Sequence, residues 1–216
     1  MKKPLLLLIS FSLWAFSSKA SLLDLEPGAK SISGINISHG ATTSWEGQNR
    51  SLLTVGSGLR RQKILLNDMD LYVAQLLVSH PTRFVPHPSE TLNSLQDSST
   101  VALHLTFLQG LDAAKVRSLY RDSLAANHVD LQLPEIKEFL TVISRSGNAD
   151  EGKTISLVIH KNKDDSETLI YEDTEGRQSK VRGKMGLTGR IFSIWLGIPL
   201  DKGLADLKKS LLESRD

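Results

Sequence analysis

Residues 47–79 read GQNRSLLTVGSGLRRQKILLNDMDLYVAQLLVS and contain three runs with a β-strand pattern. The runs cover residues 51–55, 59–66 and 69–78, and they are separated by Gly56-Ser57-Gly58 and by Asn67-Asp68. Apolar and β-branched runs bounded by glycines or by Asn-Asp are typical of consecutive antiparallel strands. We therefore predict a tight turn at Gly56-Ser57-Gly58 and a second turn near Asn67-Asp68.

The third run predicts a strand that is buried on both sides. Side chains alternate between the two faces of a strand, and neither face of this run is wholly polar. One face carries Met69, Leu71, Val73 and Leu77, and the other carries Asp70, Tyr72, Ala74, Leu76 and Val78. A turn near Asn67-Asp68 also brings Tyr72 back to within a few residues of Arg60 on the neighbouring strand.

Two motifs at opposite ends of the chain carry a family resemblance. The first is Gly56-x-Gly58-x-Arg60, followed by a short hairpin and Asp70-Leu-Tyr72-Val-Ala74-x-Leu76. The second is Ile191-Phe-Ser-Ile-Trp195-Leu-Gly197-Ile-Pro199-Leu-Asp201-Lys-Gly203-Leu204. Together they resemble the chalcone isomerase-like superfamily, and more narrowly its exported bacterial members, over roughly residues 47–212. The resemblance implies an α+β fold, in which a large antiparallel β-sheet packs against a layer of helices as an open-faced sandwich with a ligand cleft between the layers.

The resemblance also implies which residues contact a ligand. The cleft arginine of the plant enzymes matches Arg60, and a threonine twelve positions later falls on Tyr72. A tyrosine and an asparagine on a later helix fall near Lys115 and Asp122, and a late threonine falls near Ile194. The predicted ligand-binding residues are therefore Arg60, Tyr72, Lys115 and Asp122, while no catalytic residue is assigned.

This set of residues favours binding over catalysis. Closing a chalcone ring requires a guided phenolate and positioned donors for the developing enolate, and only the arginine and one hydroxyl match. An Arg–Tyr pair in an apolar cleft suits the carboxylate of a small fatty-acid-like molecule. Two alternatives remain open: an intramolecular lyase or isomerase of chalcone isomerase type, and an interaction protein with a filled cleft.

A purely structural role for the same pair is a further alternative. A buried arginine can be held by a carboxylate, for which Asp70 and Asp122 are the candidates from sequence, and a sheet tyrosine can simply fill the core. In that case neither Arg60 nor Tyr72 contacts a ligand.

Residues 1–20 have the pattern of a secretory signal peptide. A basic start at Lys2 and Lys3 precedes an apolar run of about a dozen residues and the small-residue end Ser17-Ser-Lys-Ala20. The apolar run is too short to predict a spanning helix. We expect cleavage after Ala20, a soluble periplasmic protein of a Gram-negative bacterium and no stable membrane insertion after cleavage.

The composition limits the kinds of modification, metal site and ligand that we expect for this chain. The chain of 216 residues has no cysteine, which excludes a lipid-modified cysteine, disulfides, thiolate metal sites and attached c-type haem. Of its 26 basic residues, three lie in the predicted signal peptide, so 23 remain against 24 acidic ones. A near-neutral chain gives no reason to expect nucleic acid binding. The six histidines never stand at metal spacing, and we predict neither a metal nor a cofactor.

The rest of the chain predicts one domain. The resemblance assigns residues 47–216 to a chalcone isomerase-like domain, and we expect residues 21–46 to precede it as a leading strand or a loosely held arm. Further predicted strands cover 101–108, 154–160, 167–172 and 179–185, and predicted helices cover 111–126, 134–145, 188–195 and a last helix capped by Asp201. The polar residues 80–99 are predicted as a surface loop. The order of strands, helix pair, strands and helix pair is typical of an α+β fold.

Overall fold

The computed structural model describes residues 21–64 and 67–213, so the predicted signal peptide at 1–20 lies outside the described residues. The β-strands of the described chain are β1 (Asp24–Glu26), β2 (Ser31–Ile32), β3 (Ile35–Asn36), β4 (Gly40–Trp45), β5 (Gln48–Ile64), β6 (Asn67–Val78), β7 (Thr100–Phe107), β8 (Thr154–Lys161), β9 (Glu167–Glu172) and β10 (Gln178–Gly183). Its α-helices are α1 (Thr91–Gln96), α2 (Ala113–Ala126), α3 (Pro134–Ser144), α4 (Leu187–Leu196) and α5 (Lys202–Glu213).

Eight of these strands form one antiparallel sheet in the order β1-β4-β5-β6-β7-β8-β9-β10, and β2 and β3 form a separate small hairpin. The helices cover one face of the sheet. The largest group of buried apolar side chains lies between the two layers and includes Leu103 of β7, Phe139 of α3 and Trp195 of α4. The predicted α+β architecture, a large antiparallel sheet packed against a layer of helices, is confirmed.

The Gly56-Ser57-Gly58 segment is not a turn, and that prediction is wrong. These residues lie within β5, which runs unbroken for 17 residues. The glycines are needed because α5 packs directly on the strand: a Cβ atom at Gly56 would collide with the backbone of Leu211, and one at Gly58 would lie 2.6 Å from Cβ of Ser210. A glycine that permits close approach of another backbone has the same sequence pattern as a glycine in a turn.

The pairing of β5 with β6 places Arg60 directly opposite Tyr72, as the sequence pattern predicts. Asn67 begins β6, and residues 65–66, which join the two strands, lie outside the described residues. Irregularities in register occur between Thr54 and Gly56 and again between Arg60 and Arg61. Irregularities of this kind re-aim side chains and expose backbone groups, and the second one lies at the predicted site.

The residues before position 47 belong to the sheet. β4 pairs with β5 across the predicted boundary, and β1 pairs with β4, so residues 21–46 include strands of the domain itself. Leu22 and Leu23 pack on the face of the sheet opposite the helices, against Leu77 of β6 and Val158 of β8. β6 is therefore covered on both sides, as predicted.

The sheet is also curled. Trp45 of β4 stacks on His160 of β8, with ring centroids 4.7 Å apart, although β4 and β8 stand four positions apart in the sheet order. Neighbouring strands lie about 4.8 Å apart, so a flat sheet would hold these rings far from each other. The curl gives the face opposite the helices a concave shape that the residues before β4 fill.

The connection at residues 80–99 contains more structure than the loop predicted there. It includes a 3-10 turn at Pro81–Arg83 and the six-residue helix α1. Thr91 in α1 donates to the carbonyl groups of Val85 and His87, which folds the proline-marked segment back on itself. Within the described residues, no helix has both the length and the apolar character needed to cross a membrane.

Candidate functional site

An apolar cavity lies between the sheet and the helices, near the point where β5 and β6 are paired through Arg60 and Tyr72. Its volume is about 30 Å³, close to the share of one water molecule in the liquid. Its lining comes from β5, β6, β7, α2, α4 and α5: Arg60, Leu71, Tyr72, Phe107, Leu111, Val116, Leu119, Tyr120, Ser123, Ile194, Leu200 and Leu204. Arg60 is the charged member of this lining.

The guanidinium of Arg60 is buried but paired. Its Nη2 donates to Oδ2 of Asp201 at 2.6 Å, and its Nη1 donates to the carbonyl of Arg61, which the irregularity in β5 turns towards it. The Arg60 side chain is 5% exposed and that of Asp201 is 44% exposed. A buried guanidinium requires such partners, because an unpaired charge in an apolar interior is costly.

From the sequence, Asp70 and Asp122 were the candidate partners of Arg60, and neither of them contacts it in the structure. Asp70 binds Nε of Arg61 at 3.0 Å, and Asp122 binds Arg121 at 2.8 Å, both on the surface. Asp201 is also the predicted cap of α5, since its Oδ1 accepts the backbone N–H of Leu204 at 2.9 Å. One carboxylate thus caps a helix and neutralises the arginine of the cavity wall.

The Tyr72 hydroxyl is held from the helix side. It accepts a hydrogen bond from Nε1 of Trp195 in α4 at 3.1 Å, and its ring packs against Phe107 with centroids 5.5 Å apart. Burial raises the pKa of Tyr72 to about 12, although the nearby Arg60 guanidinium acts in the opposite direction. Tyr72 is therefore a neutral phenol at ordinary pH, and its O–H can donate to an anion.

Tyr120 is the second tyrosine in the cavity lining. Its ring stacks on Phe139 and meets Trp195 edge-on at 5.1 Å, but its buried hydroxyl has no hydrogen-bond partner among the described residues. Burial raises the pKa of Tyr120 well above its usual value, so it too stays protonated. Buried hydroxyls without a partner are uncommon, and one that faces a cavity offers a donor to a bound molecule.

The structure does not bring Lys115 and Asp122 to the cavity. Lys115 is exposed, and Asp122 lies on the half-exposed side of α2 with Ser118 and Arg121. Val116 and Ser123, each one position further along α2, line the cavity instead. A shift of one residue rotates a side chain by about 100° around a helix, which is enough to move it from the sheet to the solvent. Ile194, on which a late threonine of the plant enzymes falls, also lines the cavity.

Three residues of this region were missed as site residues by sequence reasoning: Tyr120, Trp195 and Asp201. Tyr120 and Trp195 stand at apolar positions of helices, where an aromatic ring normally fills the core. Asp201 lies 141 positions from Arg60, and the signal that it carried, an acidic residue just before a helix, was already explained by capping. The second motif, residues 191–204, contains both Trp195 and Asp201 and is the one clue that pointed to this region.

In the described ranges, 21–64 and 67–213, no group of three or more His, Cys, Asp or Glu side chains is placed to hold a metal ion. The histidines of the sheet bind hydroxyl groups instead: His104 contacts Ser156 at 3.0 Å, and His160 contacts Thr100 at 3.1 Å.

Comparisons with known proteins identify the fold. No model of a known protein family matches the sequence, and no curated protein matches it either. The crystal structure of a fatty-acid-binding protein of Arabidopsis thaliana is similar to this chain, with a TM-score of 0.59 and 16% sequence identity over 87% of this chain and 96% of that one. The similarity confirms the predicted chalcone isomerase-like fold. At this identity the comparison concerns the fold alone.

Proposed function

We propose that this protein is a non-catalytic binding protein of the periplasm, which holds a small apolar carboxylate of fatty-acid type between its sheet and its helices. The observation that carries the proposal is the buried guanidinium of Arg60 in the wall of an otherwise apolar cavity, beside the Tyr72 hydroxyl. A carboxylate on a guanidinium and a phenol forms charge-assisted hydrogen bonds, and the apolar lining suits an aliphatic tail.

Two further observations support this function. The fold is shared by a protein that is described as binding fatty acids. The lining also offers little for catalysis, since its charged member is Arg60 and the positions on α2 that face the cavity carry Val116 and Ser123. Ring closure of chalcone type requires a planar aromatic-sized pocket and a further polar group near Lys115 or Asp122, and neither of these residues lines the cavity.

The volume of the cavity favours a second candidate, an interaction protein with a filled cleft. Ligand pockets commonly measure about 300–1,000 Å³, and the observed 30 Å³ is far below that range. Binding of a fatty acid therefore requires the cavity to open. The rim carries half-buried or exposed apolar side chains, Leu111, Leu119 and Leu200, whose displacement would enlarge it.

The test is mass spectrometry of organic extracts from the purified protein. Wild type is compared with Arg60→Gln and with the control Arg61→Gln, which removes the neighbouring but exposed arginine that pairs with Asp70. We expect wild type and the control to carry a stoichiometric aliphatic acid that Arg60→Gln lacks. Empty wild-type protein that also fails to take up added dodecanoic acid would favour the filled-cleft alternative. Circular dichroism checks that each variant is folded.

The proposed periplasmic location rests on the leader pattern of residues 1–20, and a separate experiment tests it. The chain is expressed with its own leader in a Gram-negative host, and the cells are fractionated. We expect the protein in the periplasmic fraction, with an intact mass that begins at Ser21. A cytoplasmic protein that retains residues 1–20 would contradict this part of the proposal.

A further inference from the structure

We propose that Asp201 is an internal competitor for Arg60, so that the cavity opens for an apolar ligand only when the ligand brings a negative charge of its own. Asp201 thereby weakens every ligand that must displace it, and only a head group that replaces its charge on Arg60 restores the lost ion pair. The inference rests on the proposed function and adds to it how the site chooses between an acid and an uncharged molecule of the same length.

In the structure, the carboxylate of Asp201 binds the guanidinium of Arg60 in the cavity wall. Oδ2 of Asp201 lies 2.6 Å from Nη2 of Arg60, the short distance that is typical of a charge-assisted hydrogen bond. Asp201 stands at the end of the linker between α4 and α5, and Leu200 beside it lines the cavity. The position on Arg60 that a ligand carboxylate would take is therefore filled by the chain itself.

Asp201 is placed so that it can release Arg60 without unfolding its surroundings. Its two oxygens have separate partners, because Oδ1 accepts from Leu204 at the start of α5 while Oδ2 accepts from Arg60. The Asp201 side chain is 44% exposed, so water can solvate the oxygen that leaves the guanidinium. Arg60, at 5% exposure, has no such access to water and needs a replacement anion.

The start of the linker is fixed independently of this ion pair. Asn127 at the end of α2 accepts from the backbone N–H of Ile198 at 2.6 Å and donates to the carbonyl of the same residue at 3.1 Å. Lys208 of α5 donates to the carbonyl of Gly197 at 2.9 Å. At the far end, Asp201 contacts the cavity wall through Arg60 and α5 through its cap on Leu204. When a ligand takes the contact with Arg60, Asp201 stays on its cap, and Leu200 beside it is the part of the linker that moves away from the cavity.

Head-group specificity follows from the charges. A fatty acid that displaces Asp201 leaves the buried guanidinium paired, whereas a fatty alcohol would leave it without an anion in an apolar wall. The cost of an unpaired buried charge opposes binding of the alcohol. The apolar lining alone would accept both molecules, since their tails are the same.

The experiment measures binding of dodecanoate and of 1-dodecanol to delipidated protein by isothermal titration calorimetry. Wild type is compared with Asp201→Asn, because asparagine caps a helix about as well as aspartate but carries no charge. The matched control is Asp206→Asn on the same helix, which removes the exposed ion pair with Lys202. Circular dichroism and thermal melts confirm that both variants retain the fold.

We expect Asp201→Asn to bind dodecanoate more tightly than wild type, on the order of tenfold, because the competing charge is gone. Asp206→Asn should match wild type, and wild type should bind 1-dodecanol far more weakly than dodecanoate. Equal or weaker dodecanoate binding by Asp201→Asn would overturn the competitor role while the binding function stands. Absence of binding by all three proteins would overturn the binding function and this inference with it.

Discussion

On the face of the sheet that the helices cover, Arg60, Tyr72 and Tyr120 border an apolar cavity. On the opposite face, Gln75, His104, Ser156 and Glu172 stand in register across β6, β7, β8 and β9. There Gln75 accepts from the backbone and the hydroxyl of Ser38, His104 contacts Ser156, and Glu172 accepts from the backbone N–H of Leu22 and the side chain of Gln178.

The two faces show how a candidate ligand site differs from a row of polar residues with a structural role. Both faces bury polar side chains, so burial of polarity alone does not identify a site. On the opposite face, the four residues of this row are partnered by their neighbours and by the residues before β4. Oγ1 of Thr43 and Nε2 of His160 are buried on that face without a partner among the described residues, but neither residue lines the apolar cavity. On the helix face a hydroxyl lacks a partner, and an arginine holds a half-exposed carboxylate beside free space. Hydrogen-bonding capacity next to an apolar cavity is the feature that points to a ligand.

The largest expected effect is a loss of stability at low pH, and it comes from His104 on the opposite face of the sheet. Burial lowers the pKa of His104 to about 4, below the ordinary 6.5. The unfolded chain therefore binds a proton below pH 6.5 that the folded chain excludes until about pH 4, and the free energy of unfolding falls as the pH drops through this window. The loss attributable to His104 is about 3 kcal/mol by pH 4.

Urea unfolding at pH 7 and at pH 4.5 measures this acid effect, with His104→Gln as the variant. The variant should lose less stability between the two pH values than wild type does. The residual loss should include a share from His160, whose pKa burial also lowers to about 4. Dodecanoate binding at pH 7 should match wild type, and a loss of binding would contradict the division between the two faces.

Packing on the helix face gives the next effect. Gly56→Ala introduces a Cβ atom into the backbone of Leu211, so α5 must move away from β5. We expect a loss of about 2 kcal/mol in the free energy of unfolding, as for other overpacked positions. Gly110→Ala is the control, because no atom lies within 4 Å of the added Cβ there. Chemical denaturation of both variants is the measurement, and equal stabilities would show that α5 does not pack as described.

A smaller loss of stability is expected for Tyr72→Phe. The substitution keeps the ring but removes the acceptor of the Trp195 indole N–H, which costs about 1 kcal/mol for a buried donor left without a partner. Affinity for dodecanoate should fall severalfold, because a donor to the carboxylate is lost. Titration calorimetry measures the affinity for dodecanoate, and urea unfolding measures the loss of stability. Unchanged affinity would remove Tyr72 from the head-group site.

Tyr120→Phe gives the smallest expected change in stability. The hydroxyl that it removes has no partner among the described residues, so the free energy of unfolding should change by less than about 0.5 kcal/mol. The same urea experiment measures it beside Tyr72→Phe. A loss as large as that of Tyr72→Phe would show that the Tyr120 hydroxyl is bonded in solution and is no free donor of the cavity.

Local patterns predicted the strands and helices well, because periodicity and capping are read within a few residues. The Arg60–Tyr72 pair is the clearest case, since a single hairpin connects two motif residues twelve positions apart. The Gly56-Ser57-Gly58 prediction failed for the opposite reason. The partner of those glycines is α5, which follows about 150 residues later in the sequence, and a glycine that admits a helix cannot be told locally from one that makes a turn.

The candidate site was predicted less completely than the fold. Arg60 and Tyr72 were placed at the cavity by the resemblance, but Lys115 and Asp122 miss it by one position each, since an alignment shifted by one residue changes the face of a helix. The ion pair from Arg60 to Asp201 joins the two ends of the domain and has no local signature. Side chains that meet only in the folded chain, such as Trp195 and Tyr72, are beyond what spacing alone can predict.

In the proposed complex, an apolar acid lies between the sheet and the helices with its carboxylate on Arg60. A crystal structure of the protein with 12-bromododecanoic acid tests it most directly, because the anomalous signal of bromine locates the end of the tail. We predict a carboxylate on Arg60 and Tyr72, Asp201 turned away from the guanidinium, and bromine between the sheet and α2. Bromine at another place, with the Arg60–Asp201 ion pair intact and the cavity still closed, would rule out binding at this site.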